Sequence, residues 1–225
     1  MKVYRTAAIT AVWRNMAKVD EHSIKYVSLP LRFFAYILGL LDPNSVATIA
    51  ERTKLIDFVI KKSRPKCIVE IGAGFSSRAE RFGNIKFYEF DLPYFQKFKS
   101  DIIPFEIGKD ELNIDAKDAL FIVEGVTMYL QKEQILMLLK QIKNFKGHIL
   151  IDFFNMENSA KEKNLKEKLY KILFKLIINR NHLFDYRIKN LQEGIALLRK
   201  SGYEDVRHFK YRIPKTLDVL FYAKL

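Results

Sequence analysis

Two glycines and an aspartate are spaced as in sites that bind a nucleoside. Gly72 and Gly74 directly follow a short apolar segment, and Asp91 stands nineteen residues beyond Gly72. Glycines at the end of a strand let the backbone turn sharply and leave room for a ligand beside the next helix. A carboxylate at Asp91 can accept hydrogen bonds from both ribose hydroxyls, or it can cap a helix beginning near Pro93. Because Ser77 replaces the third glycine of a dinucleotide fingerprint, the spacing favours a smaller nucleoside ligand.

Two charged residues fall in segments that are otherwise apolar. Glu70 lies in the predicted strand before the glycines, and Arg52 lies in the apolar stripe of a predicted helix. A buried charge is costly unless an opposite charge or a hydrogen-bonding group faces it. Arg52 can face either a ligand carboxylate or Glu70. Glu70 can pair with a nearby backbone amide or base, or it can order a loop around a ligand.

Strand and helix patterns alternate along the chain and predict a doubly wound α/β sheet. The predicted strands are residues 66–71, 85–90, 101–106, 119–123, 147–152, 205–211 and 217–223. The predicted helices are residues 45–62, 75–82, 94–99, 131–143, 157–178 and 189–200. The last two strands follow one another without a helix, which predicts an antiparallel β-hairpin at the carboxyl end.

The length of 225 residues favours a single domain with one core. Within it we expect an N-terminal helical cap over 1–44, a ligand-binding core over 45–155, an inserted helical lid over 156–188, and a C-terminal helix and hairpin over 189–225. The longest apolar stretch, residues 29–41, is shorter than the roughly 20 residues that cross a bilayer. It predicts a buried or cleft-lining helix rather than a membrane span.

The formal net charge of +13 raises the question of a nucleic-acid partner. Lysines outnumber arginines by 27 to 12, whereas readers of bases and phosphates rely on the bidentate guanidinium, so nucleic acid is disfavoured. The single cysteine cannot form an internal disulfide, and the four scattered histidines have no zinc spacing. We therefore expect a reducing, cytoplasmic location and no metal.

Four blocks, in order, resemble the leucine carboxyl methyltransferase family. They are residues 49–57, 68–78, 88–93 and 120–130, of which the Asp-Leu-Pro and Glu-Gly-x-x-x-Tyr-Leu motifs are the distinctive ones. That family includes enzymes that esterify the C-terminal leucine of a phosphatase catalytic subunit and bacterial O-methyltransferases of the tetracenomycin polyketide type. The resemblance implies a class I, Rossmann-like methyltransferase fold that binds S-adenosylmethionine and releases S-adenosylhomocysteine.

The matching blocks imply a set of cofactor-binding residues. They are Arg52, Glu70, Gly72, Gly74, Asp91, Glu106, Ile107 and Glu124. By resemblance, Arg52 would pair with the methionine carboxylate and Asp91 would hold the ribose. Glu106, which stands where the family usually has Asp, would lie with Ile107 beside the adenine. No catalytic residue is implied; candidates for the acceptor pocket are Tyr129, His22 and Tyr186.

The resemblance predicts methyl transfer from S-adenosylmethionine to a carboxylate or hydroxyl of a small, polyketide-like or carboxyl-terminal acceptor. The segments 1–41 and 157–189 are expected to select it, and the basic lid would attract an anionic one. The first alternative, an RNA or DNA methyltransferase, is suggested by the charge. Glu124-Gly-Val stands where base N-methyltransferases carry an Asn/Asp-Pro-Pro-Tyr-like block, and this difference disfavours methylation of a nucleic-acid base. The second alternative is a non-catalytic binding protein of the same fold, which the retention of Arg52 and Asp91 disfavours.

Overall fold

Seven strands of the described chain form one mixed sheet. A computed structural model describes residues 3–155, 186–212, 216 and 218–225. The strands are β1 (Cys67–Ile71), β2 (Lys86–Asp91), β3 (Ile103–Pro104), β4 (Ala119–Val123), β5 (Gly147–Phe154), β6 (Glu204–His208) and β7 (Asp218–Lys224). Their order across the sheet is β3-β2-β1-β4-β5-β7-β6. β1 to β5 pair in parallel, and β7 runs antiparallel between β5 and β6. The predicted doubly wound sheet with a terminal antiparallel hairpin is confirmed.

The order of the strands creates a crevice. From β1 the chain proceeds to β2 and β3 on one side, and it then returns to β4 on the other side. Helices that leave neighbouring strands in opposite directions separate at this point, so ligands bind outside the carboxyl ends of the two strands. The crevice of this sheet therefore lies beyond Ile71 of β1 and Val123 of β4.

The described residues contain six α-helices. They are α1 (Val3–Met16), α2 (Leu29–Leu41), α3 (Pro43–Ser63), α4 (Arg78–Arg81), α5 (Lys132–Lys143) and α6 (Leu191–Lys200). Capping groups mark their starts. The side chain of Asp42 accepts a hydrogen bond from the amide of Ser45 at the start of α3, and Asn190 does the same for Glu193 at the start of α6. The helices predicted at 45–62, 131–143 and 189–200 are confirmed.

Both faces of the sheet are covered, which explains why its central strands are apolar throughout. On one face, Phe121 and Val123 of β4 belong to the same core cluster as Leu139 of α5. On the other face, Ile122 belongs to a cluster with Ile56 of α3. Successive residues of β4 thus alternate between two helical layers, as the period of a strand requires.

The N-terminal helices form a third core cluster over the loops at the carboxyl end of the sheet. Val12 of α1 clusters with Phe75 after β1 and with Phe95 after β2. Nε1 of Trp13 donates a hydrogen bond of 2.8 Å to the carbonyl oxygen of Ala35, which ties α1 to α2. This packing holds α1 over the crevice.

Three predicted elements are shorter in the structure. The helix predicted at 75–82 is the single turn α4, and the helix predicted at 94–99 is a 3₁₀ turn at Pro93–Lys97. The strand predicted at 101–106 is only β3. Because Pro104 has no N–H group, it cannot continue the ladder of hydrogen bonds along β2. These segments lie at the crevice, where side-chain contacts override local periodicity.

The helix α2 is only partly buried, and Gly39 and Leu40 near its end line a cleft formed with α3, as one of the two expectations for this segment stated. One side packs through Ala35 and Leu38, but Leu29, Phe33 and Leu40 on the other side are exposed, Phe33 to 64%. Among the described helices none is by itself long and apolar enough to cross a membrane. Only α2 and α3 taken together reach such a length and composition, and they are bent by 104°.

The proposed lid lies almost wholly outside the described residues, because residues 156–185 are not described. The helix predicted at 157–178 is therefore untested. At the far end of this segment, Ile188 is buried and forms an isolated parallel bridge with Asn155.

Candidate functional site

A cavity of about 310 Å³ opens at the carboxyl ends of β1, β2 and β4. Its size falls within the range of about 300–1,000 Å³ typical of small-molecule sites. Five described segments line the cavity: the loop at Gly72–Gly74, the end of β2, the segment after β3, the residues that follow β4, and one side of α1. The crevice expected from the strand order thus contains the cavity.

Asp91 joins the ends of β1 and β2. Its Oδ2 accepts a hydrogen bond of 2.6 Å from the amide of Gly74, and its Oδ1 accepts one of 2.7 Å from the amide of Leu92. The 3₁₀ turn begins at Pro93, and its N-cap residue is Leu92. Asp91 is therefore not an N-cap, and its carboxylate instead holds the glycine loop against the wall of the cavity.

The Asp91 carboxylate keeps capacity for further hydrogen bonds. Each carboxylate oxygen has two lone pairs, and the two backbone amides use one on each oxygen. Burial raises the pKa of Asp91 to about 6, although both amides favour the charged form. Near neutral pH the group is an ionised acceptor at the edge of the cavity.

Glu124, directly after β4, is the centre of a buried cluster of charges. Its Oε1 accepts hydrogen bonds from Nη2 of Arg14 at 2.8 Å and from Nε of Arg52 at 2.9 Å. Its Oε2 forms an ion pair of 2.6 Å with Nη2 of Arg78. Burial opposes ionisation, but the three arginines outweigh it and hold the pKa of Glu124 well below its usual range.

Arg52 has two further carboxylate partners. Its Nη1 lies 2.6 Å from Oδ2 of Asp152 and 2.6 Å from Oδ2 of Asp218. Burial raises the pKa of Asp152 to about 7; Arg52 opposes this shift, and the nearby Asp218 adds to it. Three carboxylates, counting Glu124, thus converge on one guanidinium.

Glu70 pairs with Arg78 rather than with Arg52. Nη1 of Arg78 donates to Oε1 of Glu70 at 2.6 Å, and the hydroxyl of Ser76 donates to Oε2 at 3.1 Å. Glu70 thereby has the basic partner that one of the two sequence-based interpretations expects, and it fixes the loop that follows the glycines. Arg78 is only 1% exposed, so it steadies this loop and does not cover the surface.

The structure brings most of the predicted ligand-binding residues together. Those that line the cavity are Arg52, Gly72, Gly74, Asp91, Glu106, Ile107 and Glu124. Glu70 is not among the described residues of the wall; it pairs with Ser76 and Arg78, and its charge contributes to the raised pKa of Asp91. The side chain of Glu106 is half-exposed and pairs with Lys109 at 2.8 Å.

Of the three candidates for an acceptor pocket, Tyr129 alone is among the described residues of the cavity wall. His22 is exposed and lies 3.8 Å from Glu80. Tyr186 packs against Phe153 at a ring separation of 6.3 Å, in contact with the core. Neither His22 nor Tyr186 is among the described residues of the cavity wall, and their assignment to an acceptor pocket stays a prediction.

Sequence reasoning missed three charged residues of the site: Arg14, Asp152 and Asp218. The signal for Arg14 was present, because it follows the apolar stretch Ala11-Val12-Trp13 just as Arg52 interrupts an apolar stripe. Asp152 and Asp218 lie at the end of one predicted strand and the start of another. Their meeting on Arg52 depends on the pairing of β5 with β7, where Asp152 is opposite Leu220.

Solved structures with the same architecture exist at low sequence identity. A "possible exported protein" from Bordetella parapertussis has a TM-score of 0.60 at 13% identity, over 99% of this chain and 95% of that one. Human N-acetylserotonin methyltransferase, in complex with S-adenosylmethionine, has a TM-score of 0.54 at 19% identity. A putative O-methyltransferase from Nostoc punctiforme PCC 73102 has a TM-score of 0.55 at 12% identity. The fold is that of the class I methyltransferases.

The present chain covers only part of the two methyltransferases. The match to the human protein includes 86% of this chain and 55% of that one, and the match to the Nostoc protein includes 84% and 59%. No protein-family model and no curated protein sequence matches the chain. The class I methyltransferase fold implied by the sequence blocks is confirmed, and the narrower family resemblance stays a prediction.

The glycine loop allows a direct test by substitution. Gly72 has a φ of +73°, and a Cβ added there would lie 2.2 Å from Cγ2 of Val126 in the cavity wall. Gly72→Ala should lower the free energy of unfolding by about 2–4 kcal/mol, through backbone strain and overpacking. In Gly83→Ala, where the nearest atom is 3.5 Å away, urea denaturation should show a change below about 1 kcal/mol. Equal effects of the two substitutions would contradict the close packing of this loop.

The charge cluster predicts a large and pH-dependent loss of stability on removal of Arg52. Arg52→Gln leaves Asp152 and Asp218 facing one another without the cation they share, and it should cost about 3–5 kcal/mol at pH 8, as for a broken buried ion pair. The loss should shrink towards pH 5, because Asp152 and Asp218 can then take up protons. Arg199→Gln on the exposed side of α6 is the control in urea denaturation, and a pH-independent loss in Arg52→Gln would argue against the cluster.

Proposed function

We propose that this chain is an S-adenosylmethionine-dependent O-methyltransferase. The observation that carries the proposal is the Asp91 carboxylate, which is ionised near neutral pH and borders a cavity at the switch point of the sheet. It sits one hydrogen bond away from the glycine loop, in a fold shared with a methyltransferase that holds S-adenosylmethionine. An adenosine ligand requires a carboxylate that accepts its ribose hydroxyls and a glycine loop that lets it approach the backbone.

The lining of the cavity fits such a ligand. Gly72 and Gly74 adopt the positive φ angles that the turn requires. Because glycine has no side chain, the wall is open where a nucleoside would pass. Asp91 would accept hydrogen bonds from the ribose hydroxyls with its remaining lone pairs. Leu92 and Ile107 would provide apolar contacts for the adenine, and Glu106 would lie beside its edge.

The chemistry makes few demands on the protein. S-adenosylmethionine supplies a methyl group already activated by its sulfonium, so the residues must position a nucleophilic oxygen in line and exclude water. A carboxylate acceptor would need no general base, whereas a hydroxyl acceptor would benefit from one. Tyr129, which lines the cavity after β4, is the side chain we assign to the border of the acceptor site.

The acceptor we favour is a carboxylate or hydroxyl of a small molecule. The four ordered sequence blocks that resemble the leucine carboxyl methyltransferase family support this choice, because both the carboxyl and the polyketide branches of that family methylate oxygen.

Calorimetric titration with S-adenosylhomocysteine tests the proposal. We expect a Kd in the micromolar range for the unmodified protein. Asp91→Ala should weaken binding at least tenfold, or about 1.4 kcal/mol, because the ribose loses its acceptor. The exposed carboxylate Asp101, changed to Ala, is the matched control and should leave the Kd unchanged.

Absence of binding to folded, unmodified protein would refute the proposed function. Binding without methyl transfer to any carboxylate or hydroxyl acceptor would favour a non-catalytic binding protein.

The pKa of Asp91 predicts how affinity depends on pH. The ionised carboxylate accepts the ribose hydroxyls, and with a pKa of about 6 it becomes protonated as the pH falls. Affinity for S-adenosylhomocysteine should therefore be constant above pH 7 and fall by up to about tenfold between pH 6 and pH 5. Asp152 titrates near pH 7, so the same titrations on Asp91→Asn separate the two groups. If the affinity of Asp91→Asn for S-adenosylhomocysteine still falls between pH 6 and pH 5, protonation of Asp91 is not the cause of the fall.

A further inference from the structure

We propose that Arg14 forms an anion-binding subsite of the cavity and receives the carboxylate of the amino-acid part of the cofactor. Arg52 is the residue that the family resemblance assigns to this role. The inference rests on the proposed function and deepens it, since it names the group that holds the end of the cofactor opposite the adenosine.

The distribution of charge distinguishes Arg14 from the other two arginines of the cluster. All three share Glu124. Arg52 has Asp152 and Asp218 in addition, and Arg78 has Glu70 at 2.6 Å and Asp57 at 3.3 Å. Within the described part of the chain, Glu124 is the one carboxylate that forms an ion pair with Arg14. Arg14 therefore has fewer carboxylate partners than Arg52 or Arg78, which leaves it the most able of the three to accept a ligand anion.

A buried donor on the same side chain lacks an acceptor. Nε of Arg14 is buried and has no hydrogen-bond partner among the described residues. The side chain as a whole is 8% exposed. A charged donor left unsatisfied in the interior is costly, so an acceptor is expected in the functional state. A carboxylate matches a guanidinium in charge and in geometry.

The position of Arg14 on α1 directs it to the cavity. Thr6, Thr10 and Arg14 all line the wall, and their spacing of four residues places them on one side of the helix. The helix is held from behind by the bond between Trp13 and Ala35. Arg14 is thus presented by a fixed element, which reduces the entropy that a ligand must remove.

Arg52 is already occupied by protein groups. Its Nε and Nη1 donate to Glu124, Asp152 and Asp218 at 2.6–2.9 Å. A ligand carboxylate approaching Arg52 would meet these three acceptors and would be repelled by them. Arg52 instead organises the exit of β4, and Arg14, which has a single carboxylate partner among the described residues, is the better placed of the two for a ligand carboxylate.

Two ligands that differ in the amino-acid part test the assignment. S-adenosylhomocysteine carries the carboxylate, whereas 5′-methylthioadenosine has the same nucleoside without it. In Arg14→Gln we expect at least a tenfold rise in the Kd of S-adenosylhomocysteine and less than a twofold change for 5′-methylthioadenosine. Arg199→Gln should change neither. An equal effect on both ligands, or no effect on either, would overturn the inference.

Folding and function can be separated in the same experiment. Arg14→Gln leaves Glu124 paired with Arg52 and Arg78, so the variant should fold. If it does not, Arg14→Lys keeps the charge that the fold needs but loses the planar pair of donors that a carboxylate requires, so it should still raise the ratio of the Kd of S-adenosylhomocysteine to that of 5′-methylthioadenosine. An unchanged ratio would overturn the inference. Failure of the unmodified protein to bind either ligand would refute the proposed function. Normal binding of both ligands by Arg14→Gln would refute only the role of Arg14.

Discussion

Three arginines from three different helices meet on the carboxylate of Glu124, and the architecture of the site depends on this contact. α1, α3 and α4 contribute Arg14, Arg52 and Arg78, and the carboxylate itself follows β4. None of these charges would be tolerated in the interior alone, because the desolvation penalty of each is offset only by the others. The cluster therefore attaches these three helices to the carboxyl edge of the sheet, where the cavity opens. The same ions that stabilise the fold set the potential inside the cavity.

Asp91 is a second carboxylate with both a structural and a chemical role. It closes the loop at Gly74 through one oxygen and the start of the next segment through the other, and it still borders the cavity. A side chain held by two backbone amides presents its free lone pairs in a fixed direction, which is the preorganisation that a ligand hydroxyl needs. Its raised pKa follows from the burial that this position imposes.

The accuracy of the sequence-based predictions depended on where each element lies. β4 has the predicted limits, because its five residues are buried on both faces and must all be apolar. The glycines and Asp91 were found by spacing, since their separation is set by one βαβ unit. The helix expected at 75–82 was too long, because the helix begins only at Arg78, after the loop that Glu70 holds through Ser76 and Arg78. His22 and Tyr186 are not among the described residues of the cavity wall, because a residue type carries no information about which surface it faces.

The sequence by itself determined the class of fold, the order of strands and helices, and the residues of the glycine loop with its aspartate. Those features follow from hydrophobic periodicity and from short spacings, which act locally along the chain. Tertiary structure alone decided which charges meet. Arg52 and Asp218 are separated by 166 residues, and Arg14 and Glu124 by 110. Such pairs form because the sheet brings strand ends together in space. An unpaired charge in the interior would carry a large desolvation penalty, so each buried charge lies beside an opposite one. No local pattern encodes that choice.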